Sequence, residues 1–201
     1  VVAFAQLQVI GGLGFLFVHQ QGILFLPSTY DPNFLLKTDV DRKLHTFGET
    51  VTAFYRCNIF SSVPSRISIG PQAGFGFYYT RLKKSTDPNY QPAADASVFK
   101  STSGPFHVPL EFAIHFGSLS NPDDYEVGMS LSGGVDMLYL HVADEKAFTL
   151  LPCGSIILMF NKTGVRYGFH FMKFQSVYNS NQGQINRLTN ALSSFELVRI
   201  F

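Results

Sequence analysis

Large apolar side chains recur at every second position through several stretches of this chain. A period of two predicts β-strands, whose successive side chains point to opposite faces of a sheet. In 65–80, Ile67, Ile69, Ala73, Phe75, Phe77 and Tyr79 fall on one parity and Arg66, Ser68, Gly70, Gln72, Gly74 and Gly76 on the other. From position 106, Val108, Leu110, Phe112, Ile114 and Phe116 alternate with His107, Glu111, Ala113, His115 and Gly117. Across 125–139, Val127, Met129, Leu131, Val135 and Met137 oppose Glu126, Gly128, Ser130, Ser132, Gly134 and Asp136. Val165, Tyr167, Phe169 and Phe171 likewise oppose Arg166, Gly168 and His170. Weaker alternation at 7–19, 46–60, 148–160 and 194–201 brings the strand candidates to eight. Few windows show the i, i+3, i+4 stripe of an amphipathic helix.

Length and spacing refine the prediction. Most candidates run about 12 to 17 residues, longer than the ~5–6 usual in globular sheets and enough for a tilted strand to cross a bilayer. The connections alternate in length: 20–45 long, 61–64 short, 81–105 long, 118–124 short, 141–147 intermediate, 161–164 short and 176–193 long. A membrane barrel has this alternation, with short turns at one rim and longer loops at the other. Asp-Pro-Asn at Asp31 and Asp87, Asn-Pro-Asp at Asn121 and Lys-Thr-Gly at Lys162 are turn chemistry.

Composition sharpens the picture. The 201 residues are 46% apolar but only 14% charged, against the ~25% charge of ordinary soluble domains. A net charge of +1 supplies no basic face for phosphate backbones, which excludes nucleic acid as an expected partner. The opening residues, 1–5, read as the end of a secretory signal with small residues at Ala3 and Ala5, leaving 6–201 as one barrel domain. Val1 to Val18 is also long and uncharged enough for a membrane helix, but Gly11, Gly12 and Gly14 weaken a helix there.

Polarity separates two kinds of eight-stranded barrel, since a lipocalin keeps its apolar face inside and a membrane barrel turns that face to lipid. Arg56, Arg66, Glu111, Glu126, Asp136 and Arg166 all oppose the large apolar residues and have Gly, Ser and Thr as neighbours. Together with His115 and His170 they are expected to form a paired lumenal network. Tyr55, Tyr79, Tyr125, Tyr139, Tyr167 and Tyr178 stand toward strand ends, where aromatic girdles form. The expected fold is therefore all-β, an eight-stranded antiparallel up-and-down transmembrane β-barrel.

The pattern, the loop order and the ending Ser194-Phe-Glu-Leu-Val-Arg-Ile-Phe201 resemble the small eight-stranded outer-membrane β-barrel superfamily, especially the short barrels of Bacteroidota and the membrane domain of OmpA-like proteins. The resemblance implies a bacterial outer-membrane location, contact with outer-membrane lipid and with other outer-membrane proteins, and insertion by the barrel-assembly machinery. It also implies an assembly signal at Phe195, Leu197 and Phe201.

Chemistry-bearing patterns are sparse. His107, Glu111 and His115 share a face, but four residues along a strand separate neighbours by roughly 13 Å, beyond the reach of one ion unless other strands contribute. Ser130 and Ser132 lie near Asp136, and His115 is on the preceding candidate, yet no Gly-x-Ser-x-Gly elbow, phosphate loop or HExxH segment occurs. Cys57 and Cys153 fall on the second and sixth candidates, on opposite sides of an eight-stranded barrel, which argues against a disulfide. An eight-stranded lumen is filled by side chains and is no open pore. The expectation is a non-enzymatic scaffold or accessory subunit, without cofactor, whose long loops bind partners. A soluble lipocalin-like barrel for a small apolar ligand and a lipid-modifying barrel enzyme are the alternatives.

Overall fold

The computed structural model describes residues 5–27, 35–58, 67–79, 106–120, 126–142, 145–179 and 185–201. The strands are β1 (Ala5–Pro27), β2 (Leu35–Asn58), β3 (Ile67–Tyr79), β4 (Phe106–Gly117), β5 (Val127–Val142), β6 (Glu145–Phe160), β7 (Thr163–His170), β8 (Phe174–Asn179) and β9 (Ile185–Ile200). β1 to β7 pair antiparallel in chain order, β7 pairs with β9, and β9 pairs with β1, so the sheet closes on itself. β7 and β8 both pair with β9 and act as one stave interrupted at 171–173, which makes this an eight-stave barrel.

The registers fix its dimensions. Partners followed once around the wall run Ala5, Cys57, Ile69, Ile114, Leu131, Ile156, Tyr167, Phe195 and back to β1 at Phe15, ten residues beyond the start. With ~3.3 Å per residue and ~4.8 Å between strands, that stagger tilts the staves by about 40° and sets a radius of about 8 Å. Each residue then climbs about 2.5 Å along the axis, so ten residues per stave traverse the ~25 Å apolar band of a membrane barrel.

The outward face is apolar over that height. Leu13, Phe15, Phe17, Val51, Phe75, Phe112, Leu131, Leu158 and Leu197 are all exposed, an arrangement suited to lipid and opposite to a soluble barrel. Phe75, Phe106 and Tyr139 stack side by side at 6.1 and 4.7 Å between centroids near the loop end of the belt. Tyr167 instead stands at mid-belt in the register circuit; Tyr125 and the side chains of Tyr55, Tyr79 and Tyr178 lie outside the described set. Among the described residues two charges interrupt the belt: Glu49, between Leu13 and Phe77, and Arg199, between Gly11 and Thr163.

Inside, the lumen is layered. Ile10, Phe54, Leu119, Ile157, Met159 and Val198 form an apolar layer toward the short-turn end. Leu16, Val18, Tyr78, Leu138, Leu151 and Leu192 form another toward the opposite end. Charged and polar side chains occupy the space between. The short turns are sharp: Gly117 takes φ 60°, with its Cα hydrogen side facing the Val127 carbonyl too closely for a Cβ, and Asn161 takes φ 55° in the turn between β6 and β7.

Several expected boundaries change. The stretch 20–45, expected as a loop, is largely strand: β1 continues to Pro27 and β2 starts at Leu35, with 28–34 outside the described residues. The hairpin ladder continues from Leu26↔Leu36 downward without a break, so main-chain bonding extends the strands beyond the apolar belt. Likewise β8 and the first part of β9 occupy much of 176–193, β5 reaches Val142, and Gly164 belongs to β7. The stretches 61–64 and 81–105 lie outside the described residues, as do 1–4 of the expected signal remnant; Ala5 opens β1.

Candidate functional site: a sealed lumen and a projecting hairpin

Inward parity delivers side chains from all staves to the barrel axis. At the centre is Arg166 of β7, buried, whose Nη1 donates to Thr52 Oγ1 at 2.9 Å and whose Nη2 lies 3.4 Å from Glu111 Oε2. Glu196 Oε2 of β9 is 3.8 Å from Arg166 Nη1 and accepts a 2.6 Å bond from Thr50 Oγ1. Glu111 also accepts from Gln72 Nε2 and, at 3.5 Å, from Ser155 Oγ, while the free thiol of Cys153 stands 3.9 Å from its Oε1. One guanidinium thus serves two carboxylates, each further held by neutral donors. This is the condition under which buried charge is tolerated.

A second cluster lies toward the loop end. Asp136 Oδ2 accepts from His107 Nδ1 at 3.0 Å and from His170 Nε2 at 2.8 Å. The Tyr78 hydroxyl is 3.4 Å from His107 Nε2. The His107 ring links Tyr78 through Nε2 to Asp136 through Nδ1, so Tyr78, His107, Asp136 and His170 form one chain. That order, hydroxyl to imidazole to carboxylate, is also the order of a nucleophile and its base. Here, however, the hydroxyl belongs to a Tyr78 that is 1% exposed and packed among Leu16, Leu138 and Leu192. Two strands bring His107 and His170 to Asp136, a convergence that spacing along one strand could not reveal; among the described residues no group of three ligating side chains is arranged for a metal.

The expected site residues are distributed as follows. Glu111, Asp136, Arg166 and His170 meet in the two clusters. His115 is buried and stacks on Phe54 at 4.8 Å. Glu126 corrects its lumenal assignment: it has inward parity but stands one residue ahead of β5, in the bend, and is exposed. Arg56 lies in β2 with its side chain outside the described set, and Arg66 lies outside it entirely. Phe195, Leu197 and Phe201 are exposed on the outer face, and Phe201 N–H donates to Val9 O at 3.1 Å, tying the chain end to β1. Ser130 is buried, whereas Ser132 bonds Ser155 at 2.6 Å in the wall.

Residues that sequence reasoning passed over complete the network: Thr50, Thr52, Gln72, Tyr78, Ser155 and Glu196. Inward parity was the available signal for most of them. Glu196 was visible as the one acidic residue alternating with Phe195 and Leu197.

Beyond the belt, β1 and β2 form a hairpin that rises roughly 25 Å past Phe17 at the axial climb worked out above. Its outward side chains include His19, Gln21, Lys37, Asp39, Asp41 and Lys43, with His19 Nε2 2.7 Å from Asp41 Oδ1. The hydrogen bond from His19, reinforced by Gln21, holds the Asp41 carboxyl below its ordinary value.

No protein-family model matches this chain, and no curated protein matches it. Among solved structures, Neisserial surface protein A superimposes with a TM-score of 0.37 at 9% identity, covering 98% of this chain and 99% of that one. Ail, the attachment invasion locus protein of Yersinia pestis, gives a TM-score of 0.31 at 6% identity over 94% of this chain and 97% of its own. Ail in complex with the heparin analogue sucrose octasulfate also gives 0.31, at 9% identity over 94% and 98%.

Proposed function

We propose that the protein is a non-enzymatic barrel of the bacterial outer membrane that anchors the β1–β2 hairpin at the cell surface, as a scaffold or accessory subunit for another outer-membrane component. One observation carries this reading: the lumen is shut by an apolar layer on each side of a paired charge network, while a paired hairpin extends well past the lipid belt. A shut lumen favours anchoring over transport. The hairpin offers rigid, charged surface where binding residues are expected. Placement among OmpA-like or Bacteroidota short barrels belongs to the same proposal, as does insertion by the barrel-assembly machinery acting on the strand that ends in Phe195, Leu197 and Phe201.

The test places a photo-crosslinking residue at Asp39 or Asp41 in one set of cells and at Leu131 or Phe112 in another. One discrete protein adduct from the hairpin positions, absent from the belt positions, is the expected result. No adduct from the hairpin, together with lipid turnover by the purified protein that disappears in His107→Ala, would overturn it in favour of the enzyme.

A further inference from the structure

On the outer surface, three strands build a groove at the base of the hairpin. His19 of β1 pairs with Lys43 of β2 on one side and with Ala191 of β9 on the other, so these side chains form a single row. One pleat nearer the belt, Phe17 pairs with Ser193. The small side chains of Ala191 and Ser193 leave a hollow beside the Phe17 ring, and the resulting cavity of about 220 Å³ is lined by Phe17, Val18, His19, Lys43, Ala191, Leu192 and Ser193. That is below the ~300–1,000 Å³ of a drug-sized site, but its open, mainly apolar form suits one stretch of acyl chain.

The groove stands at a chemical boundary. Outward along β1 the sequence runs Leu13, Phe15, Phe17 and then His19 and Gln21, so hydrocarbon gives way to headgroup between Phe17 and His19. At that boundary two basic side chains cap an apolar hollow. The Asp41 carboxylate above them is already engaged by His19 at 2.7 Å and by Gln21 at 3.4 Å. Lys43 is exposed in the same row and feels the charge of Asp41, whose own hydrogen bonds go to His19 and Gln21 and not to the lysine. An ammonium on a flexible stem above an apolar groove complements a lipid phosphate above its own chain.

We infer that this groove binds one anionic phospholipid of the facing leaflet, its acyl chain against Ala191, Ser193 and Phe17 and its phosphate, uncompensated by a headgroup cation, on Lys43. The inference rests on the belt and the groove, and on no protein partner of the hairpin. A lipid held there would brace the projecting hairpin where it leaves the bilayer.

The experiment uses the full chain in detergent, offered dioleoyl phosphatidylglycerol or dioleoyl phosphatidylcholine, with retained lipid counted by native mass spectrometry. The two probes have the same chains, so a difference reports the headgroup. The expected result is one saturable phosphatidylglycerol per barrel, retained about five-fold better than phosphatidylcholine, the worth of one lysine near an anionic surface. Lys43→Gln should abolish that preference, and Lys173→Gln, an equal charge change on a different stave, should leave it intact. Ser193→Leu or, independently, Ala191→Leu should fill the groove and lose the saturable lipid. Heat-shifted gel migration identifies which variants remain folded. Equal retention of the two lipids, unsaturable binding of several copies, or binding unchanged in the folded groove-filling variants would each overturn the assignment.

Discussion

Arg166→Met removes the guanidinium that, among the described residues, serves both Glu111 and Glu196, and so tests whether the lumen is held by charge pairing. Both carboxylates are buried, and both stay behind in the variant, Glu196 with the 2.6 Å bond from Thr50 and Glu111 with Gln72 and Ser155. Neutral donors stabilise them in part but cannot balance two negative charges between two apolar layers. Removing one partner of a buried pair costs about 3–5 kcal/mol, and the lower end applies here because the hydroxyl and amide donors persist. Removing the carboxylates as well, in Arg166→Met with Glu111→Gln and Glu196→Gln, leaves no orphaned charge and should return stability to within about 1–2 kcal/mol of the parent. The assay is urea unfolding of the barrel in lipid vesicles, followed by heat-shifted migration. A single variant within about 1 kcal/mol of the parent, or a triple variant no better than the single, would refute the idea that the pairing holds the network.

Other outcomes follow from other parts of the wall. Among the described residues no ladder joins β6 to β8 above Cys153↔His170, and the bond described beyond that pair is Phe171 N–H to Pro152 O at 3.0 Å. The amides of Phe148 and Leu150 should therefore exchange with solvent deuterium faster than those of Thr149 and Leu151, which face β5; equal protection would show a continuous seam. Arg199→Leu replaces a charge on the lipid face and should stabilise the barrel by about 1–2 kcal/mol in the vesicle assay, whereas a loss would reveal a partner for the guanidinium. The Asp41 carboxyl, held below the ordinary 3.8 by His19, should titrate at lower pH than a free aspartate and shift back upward in His19→Gln, as read by carboxyl NMR. Because its folded value is depressed, the contact adds stability above the unfolded value and loses it as pH falls through the folded one; no shift on His19→Gln would contradict the pairing.

Sequence pattern revealed the barrel best where lipid bounds one face. In β3, β4, β5 and β7, solvent polarity differs sharply across the wall, so parity alone separated Phe112 and Leu131 from Glu111 and Asp136. The same signal fades outside the bilayer. Past Phe17, His19 and Gln21 take the outward positions, yet the ladder to β2 continues, so a reading tuned to apolar alternation stopped too early. Glu126 shows the complementary limit: parity predicts a face only for residues inside the ladder. The convergence of His107 and His170 on Asp136, and of Glu111 and Glu196 on Arg166, depends on the ten-residue stagger, a property of registers between strands that no single strand's spacing contains.

The central claim is that the large apolar side chains of each stave meet lipid, while the residues alternating with them on the same stave fill a packed lumen. Nitroxide labels at Leu13, Phe112, Leu131 and Ile156, one on each of four staves, test it directly in lipid nanodiscs. Relaxation by lipid-soluble oxygen should be strong and relaxation by a water-soluble nickel chelate weak at all four positions. Ready access of the chelate to these sites would place them in water and contradict the membrane-spanning barrel.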